Sequence, residues 1–139
     1  EAEVSTWTAA FVNTVTNFTI PANTPDYTLS FDCGFEDEYS LLFLGGHLHE
    51  WGKRFQIERT NGGDTSTIYE VPEWEPVFRD SPMYTEYERD EFNVGPDDTF
   101  TTTCTWFNGS DEDIEFPQEM CVTFGMAYPT RVPVICDPS

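Results

Sequence analysis

From Tyr27 to Cys33 the side chains alternate strictly, with Tyr27, Leu29, Phe31 and Cys33 set against Thr28, Ser30 and Asp32. Successive side chains of an extended strand point to opposite faces, so this stretch is half-buried as a strand and makes no sense as a helix. The same period returns near the C-terminus, where Met120, Val122, Phe124, Met126 and Tyr128 alternate with Cys121, Thr123, Gly125 and Ala127. Between these two stretches lie other short runs with strand character. Thr60-Asn61-Gly62-Gly63-Asp64 is a turn signal that makes Lys53 to Arg59 and Thr65 to Val71 a hairpin. Thr99 to Phe107 reads as a strand carrying Cys104, and a last strand is expected near Val132 to Ile135. From Val4 to Ile20 threonine, valine and aromatics dominate, which also favours strands. The segment Pro72 to Pro96 has little periodicity and reads as a long ordered loop with one short strand, and Ser110 to Gln118 as an acidic loop. Short strands at this spacing without helices predict an all-β, antiparallel β-sandwich, jelly-roll-like, built as a single domain over residues 1–139.

Both histidines lie in the stretch Leu44-Gly45-Gly46-His47-Leu48-His49-Glu50-Trp51-Gly52-Lys53. Their i, i+2 spacing places His47 and His49 on one face of a strand, close enough to grip one metal ion. Two histidines on a strand face are also ordinary polar surface. Leu41 and Phe43 share the parity of the histidines while Leu42, Leu44 and Leu48 face the other way, as in a central strand. Gly45-Gly46 marks a bulge or a place where something comes close to the backbone.

Charge narrows the partners. Against 26 Asp and Glu stand 6 Lys and Arg, a formal charge of −20, which disfavours nucleic acid and anionic membranes. No run approaches the roughly 20 apolar residues of a membrane helix. Glu1-Ala2-Glu3 is consistent with a remnant of leader processing. Cys33, Cys104, Cys121 and Cys136 lack C-x-x-C spacing, so two disulfides are the simplest reading, with three possible pairings. That implies a secreted or otherwise extracytoplasmic chain. Asn17 and Asn108 begin N-x-Ser/Thr triplets, which matter only in a eukaryotic secretory pathway.

Read together, these segments resemble the C-terminal, catalytic-copper domain of the copper type II, ascorbate-dependent monooxygenases, the family of peptidylglycine α-hydroxylating monooxygenase and dopamine β-hydroxylase. His47-Leu48-His49-Glu50-Trp51-Gly52 is similar to the family's H-x-H-x-x-G segment, and Glu119-Met120-Cys121 with the aromatic strand after it resembles the E-M-C block. Thr103-Cys104-Thr105-Trp106 resembles the strand with the partner cysteine, and Ile20-Pro21 followed by a strand ending at Cys33 also fits. The likeness runs from about Phe18 to Cys136 in the family's order. It implies one Cu(I)/Cu(II) ion held by His47, His49 and Met120, and disulfides Cys104–Cys121 and Cys33–Cys136. Two imidazoles and a thioether form a soft donor set that suits Cu(I), whereas zinc and calcium sites do not choose methionine. Taken alone, Met120 would also serve as core packing.

The likeness further implies activation of O₂ or peroxide for C–H hydroxylation, with ascorbate or another reductant as electron source. The full enzymes carry a second, N-terminal copper domain with its own histidines. Both histidines here are already assigned, so an isolated catalytic-copper domain is expected, acting with a separate or missing N-terminal domain or another electron donor. Amidating members hold a peptide carboxylate with an arginine, an asparagine and a tyrosine where this chain has Gly45, Val122 and Phe124. A carboxylate needs such partners, so peptidylglycine amidation is not expected. The substrate is left open: Trp51, Phe124 and Tyr128 would suit an apolar, aromatic or amine-bearing small molecule as a pocket wall but serve equally as core, and a non-catalytic extracytoplasmic copper carrier is the alternative function.

Overall fold

A computed structural model describes residues 6–137, so the expected processing remnant Glu1–Glu3 lies outside the described residues. Twelve strands form the fold: β1 (Ala9–Thr14), β2 (Thr19–Ile20), β3 (Thr24–Gly34), β4 (Tyr39–His47), β5 (Gly52–Asn61), β6 (Asp64–Val71), β7 (Tyr84–Glu86), β8 (Phe92–Val94), β9 (Asp98–Asn108), β10 (Ile114–Glu115), β11 (Val122–Tyr128) and β12 (Val134–Cys136). One sheet runs β12-β1-β11-β4-β7, with β8 also on β4, and a second runs β3-β9-β5-β6. Strands far apart in sequence adjoin, β1 beside β11 and β3 beside β9, which is the crossing pattern of a jelly-roll-like sandwich. Every pairing is antiparallel except β1 with β12, which is parallel.

The core fills the space between the sheets. Phe11 of β1 and Leu41 and Leu44 of β4 meet Phe55 and Ile57 of β5 and Phe100 and Trp106 of β9, all fully buried. Aromatic rings lock the layers: Phe11 and Phe100 meet edge to face at 5.9 Å across the sandwich. Both disulfides also cross from sheet to sheet. Cys33 of β3 joins Cys136 of β12, and Cys104 of β9 joins Cys121 just before β11. The pairing agrees with the one the family likeness implies, and the two bonds mark an oxidising folding environment.

The alternation in β3 holds, with Phe31 and Cys33 buried between exposed Ser30 and Asp32. In β11 the small face is the one that enters the core: Cys121, Thr123, Gly125 and Ala127 are buried, while Val122, Phe124 and Met126 are only half-buried. Three expectations need correction. Leu41 and Phe43 do not share a face, because the β4–β11 register slips where Met126 opposes Phe43 and Ala127 opposes Leu41. That bulge at Leu42 puts Leu41 and Leu44 both in the core and leaves Phe43 half-exposed. The segment Pro72 to Pro96 holds two short strands, β7 and β8, both on β4, and a 3₁₀ turn at Pro76–Arg79. The last strand begins at Val134 rather than Val132 and pairs in parallel, carrying Cys136 to its partner.

Candidate metal centre

β4 ends at His47, and the chain then leaves the sheet through Leu48 and His49 into the turn at Glu50-Trp51 before β5 begins. The two imidazoles converge there, with Nε2 of His47 3.1 Å from Nε2 of His49. His49 is buried at 6% exposure and is held on three sides. Its Nδ1 lies 2.9 Å from the Gln118 carbonyl, its N–H donates to Glu119 Oε1 at 2.6 Å, and its carbonyl accepts the Trp74 indole N–H at 3.1 Å. A carbonyl can only accept, so His49 Nδ1 carries the proton and Nε2 presents its lone pair. The contact is therefore a hydrogen bond from His47 Nε2–H to His49 Nε2. Burial pushes the His47 imidazole below its ordinary pKa, and the nearby His49 and Arg79 add to the effect, outweighing Asp80. His47 is thus kept in the neutral form that can act as a ligand.

The third expected ligand lies just ahead of the neighbouring strand, β11. Val122 pairs directly with His47, and Met120 stands two residues earlier on the same parity, half-buried beside the segment that holds His49. Glu119 is the residue that joins the two halves, and its role was not foreseen from sequence. Its carboxylate is fully buried and accepts the N–H groups of His49, of Trp51 at 3.0 Å and of Met120 at 3.2 Å. Burial raises its pKa, and the three backbone donors with the Trp106 indole offset only part of that. Nothing in the sequence set the role of Glu119 or of Trp74 apart.

The two imidazole nitrogens are spaced as ligands of one metal ion. Two nitrogens bound to one metal at about 2.0 Å, at an angle of about 100°, lie about 3.1 Å apart, which is the separation of the two Nε2 atoms here once His47 Nε2 has given up its proton. The Gln118 carbonyl fixes one tautomer in the manner of an outer-shell partner of a metal-bound histidine. Among the described residues no group of three or more His, Cys, Asp or Glu is assembled for a metal.

The expected substrate wall is not brought together. Trp51 lines a groove of about 500 Å³ with Trp74, Pro72 and Phe107. Phe124 lies on the outer face of the β4–β11 pair, its ring over Gly45, where a Cβ would overlap it. Tyr128 pairs with Ser40 at the far end of β11, six residues or about 20 Å from Val122, and bonds Asp90 at 2.8 Å. Gly46 faces the other way, with the Phe55 ring over it. The double glycine is therefore a place of close approach on both faces, and a larger side chain could not stand at Gly45 without displacing Phe124. No family model matches the chain, and no curated protein matches it significantly.

Proposed function

We propose that the chain is an extracytoplasmic copper-binding domain of the kind its sequence resembles, with His47, His49 and Met120 as the ligands. The observation that carries this reading is the convergence of the two Nε2 atoms at 3.1 Å with the His49 tautomer set by Gln118. When bound, copper would supply one-electron redox chemistry and an open position for dioxygen or peroxide, the requirement for C–H hydroxylation. The chain's own residues supply the rest. His49 is positioned by Glu119 and Trp74, His47 is kept neutral by burial, and the Cys104–Cys121 bond anchors the segment that bears Met120. A carboxylate substrate is disfavoured, because Gly45, Val122 and Phe124 offer it no donor side chain and the −20 chain repels it. One observation favours the second reading, a copper carrier without turnover: Trp51, Phe124 and Tyr128 do not line a common cavity.

Competition titration of Cu(I) on the wild type, His49→Ala and Met120→Ala tests the site. Both variants should lose affinity, and Met120→Ala should weaken Cu(I) more than Cu(II); equal losses remove the thioether from the ligand set. Oxygen consumption by the copper-loaded chain with ascorbate then separates the readings. Uptake abolished by His49→Ala supports the enzyme, and tight Cu(I) binding with no uptake supports the carrier.

A further inference from the structure

The first sheet has an outer face that the sandwich does not cover. Directly paired residues share a face, so the register reads off rows across it. One row is Ile135, Val12, Phe124, Gly45 and Tyr84, and the next places Met126 and Phe43 beside Glu86. The large side chains of these rows are apolar, yet none is part of the core or packed against it. Tyr84 and Ile135 are 56% and 63% exposed. Phe43 meets Phe124 at 6.2 Å and Tyr84 at 6.1 Å, so the aromatic residues form a continuous strip. The aromatic strip spans three strands, and the row from Ile135 to Tyr84 spans five, which at about 4.8 Å spacing makes the row about 19 Å long, the length of a helix of about 13 residues. An apolar patch of this kind on an otherwise highly charged molecule marks a contact surface.

Charge on the rim says what covers it. At the β4–β7 edge a cavity of about 570 Å³ is lined by Phe43, Tyr87 and the carboxylates Glu86, Glu88 and Glu91. All three glutamates are exposed, and none is in an ion pair among the described residues. A second copy of this chain would bring another −20 to the contact, and nucleic acid or an anionic membrane would likewise be repelled. We infer that this face docks a basic, amphipathic segment of another protein, its apolar side chains on the Phe124–Phe43–Tyr84 strip and its Lys or Arg in the Glu86–Glu88–Glu91 cavity. An apolar centre with a charged rim is the usual anatomy of such contacts, with the rim setting encounter and salt dependence. The inference does not rest on the copper reading.

The probe is a labelled model helix of Leu and Lys at amphipathic spacing, titrated by fluorescence anisotropy into the full chain without copper. Glu86→Gln, Glu88→Gln and Glu91→Gln together should weaken binding about tenfold, whereas Asp97→Asn, Asp111→Asn and Glu112→Gln, the same charge change elsewhere, should weaken it less than about threefold. Tyr84→Glu adds a negative charge to an exposed position and should nevertheless weaken binding, because it removes apolar contact. Equal losses from the two triple variants, tighter binding by Tyr84→Glu, or no binding at low salt each overturn the inference.

Discussion

Glu119 has no exposed surface, yet it accepts three backbone N–H groups from both sides of the candidate metal centre. Truncating it leaves those donors unpaired in a dry place, so Glu119→Ala should cost about 3 kcal/mol in urea unfolding, and Glu119→Gln, which keeps the shape, about half of that. Copper affinity should fall by about tenfold or more in the alanine variant, as for other outer-shell losses. Asp98 is a second buried carboxylate, with the opposite balance. Burial, the largest single influence, would raise its pKa, but Arg59 Nε at 2.8 Å, Asn61 at 2.9 Å and the Gly95 N–H at 2.9 Å together hold it below the ordinary carboxylate range. A depressed pKa contributes stability that is present above the unfolded value of about 3.9 and is lost as pH falls through the lower folded value. Asp98→Asn should therefore cost about 2 kcal/mol at pH 7 and progressively less below about pH 4. A loss of equal size at pH 3 and pH 7 would mean that the charge is not what the site uses. At this scale the proximity of the histidine pair was legible from the i, i+2 spacing, but not its geometry, because β4 ends at His47 and His49 lies just beyond the strand rather than on its face. Glu119 was not legible, because a fully buried glutamate runs against the ordinary surface preference of that side chain.

The β4–β11 pair carries the histidines, the methionine segment and the double glycine, and its two faces answer to different constraints. Gly46 faces the core, where a methyl group would overlap the fully buried Phe55 ring. Gly45 faces outward, where the overlapping ring belongs to half-exposed Phe124. A core ring has nowhere to go and an outer ring can swing away, so Gly46→Ala should cost about 1–3 kcal/mol and Gly45→Ala less than about 1. Thermal unfolding of the two variants checks this, and the reverse order would mean that the faces are assigned wrongly. β3, the β5–β6 hairpin and β9 could be read from alternation and turn residues alone, although each of their pairings carries a register shift. β7 and β8 could not. Tyr84–Glu86 and Phe92–Val94 have no pattern of their own and are extended because β4 offers them an unpaired edge, which is tertiary information. The bulge at Leu42 was hidden for a related reason: a run of Leu41 to Leu44 is apolar at every position, so no alternation shows where the face changes.

At the scale of the whole molecule, 26 carboxylates surround 6 cationic side chains. Five of those six pair with a carboxylate, and Arg131 lies over the Trp7 ring. Of the pairs only Arg59–Asp98 has a buried partner, with the aspartate side chain 5% exposed. Exposed pairs contribute about 0–1 kcal/mol each, so screening them removes little. The 20 surplus negative charges repel one another in the compact state more than in the expanded chain, and salt screens that repulsion beyond about 8–10 Å. The two effects have opposite signs, and the uncompensated charges are the larger group. Raising NaCl from about 0.02 to 0.5 M should therefore raise Tm, by about 3–4 °C if the repulsion relieved is about 1 kcal/mol. Asp98→Asn should show nearly the same salt response as the wild type, because its pair is shielded by burial and screened less. A Tm that falls with salt would place more stability in the surface ion pairs than their exposure allows, and would require the excess of carboxylates to be matched by bound cations at low ionic strength.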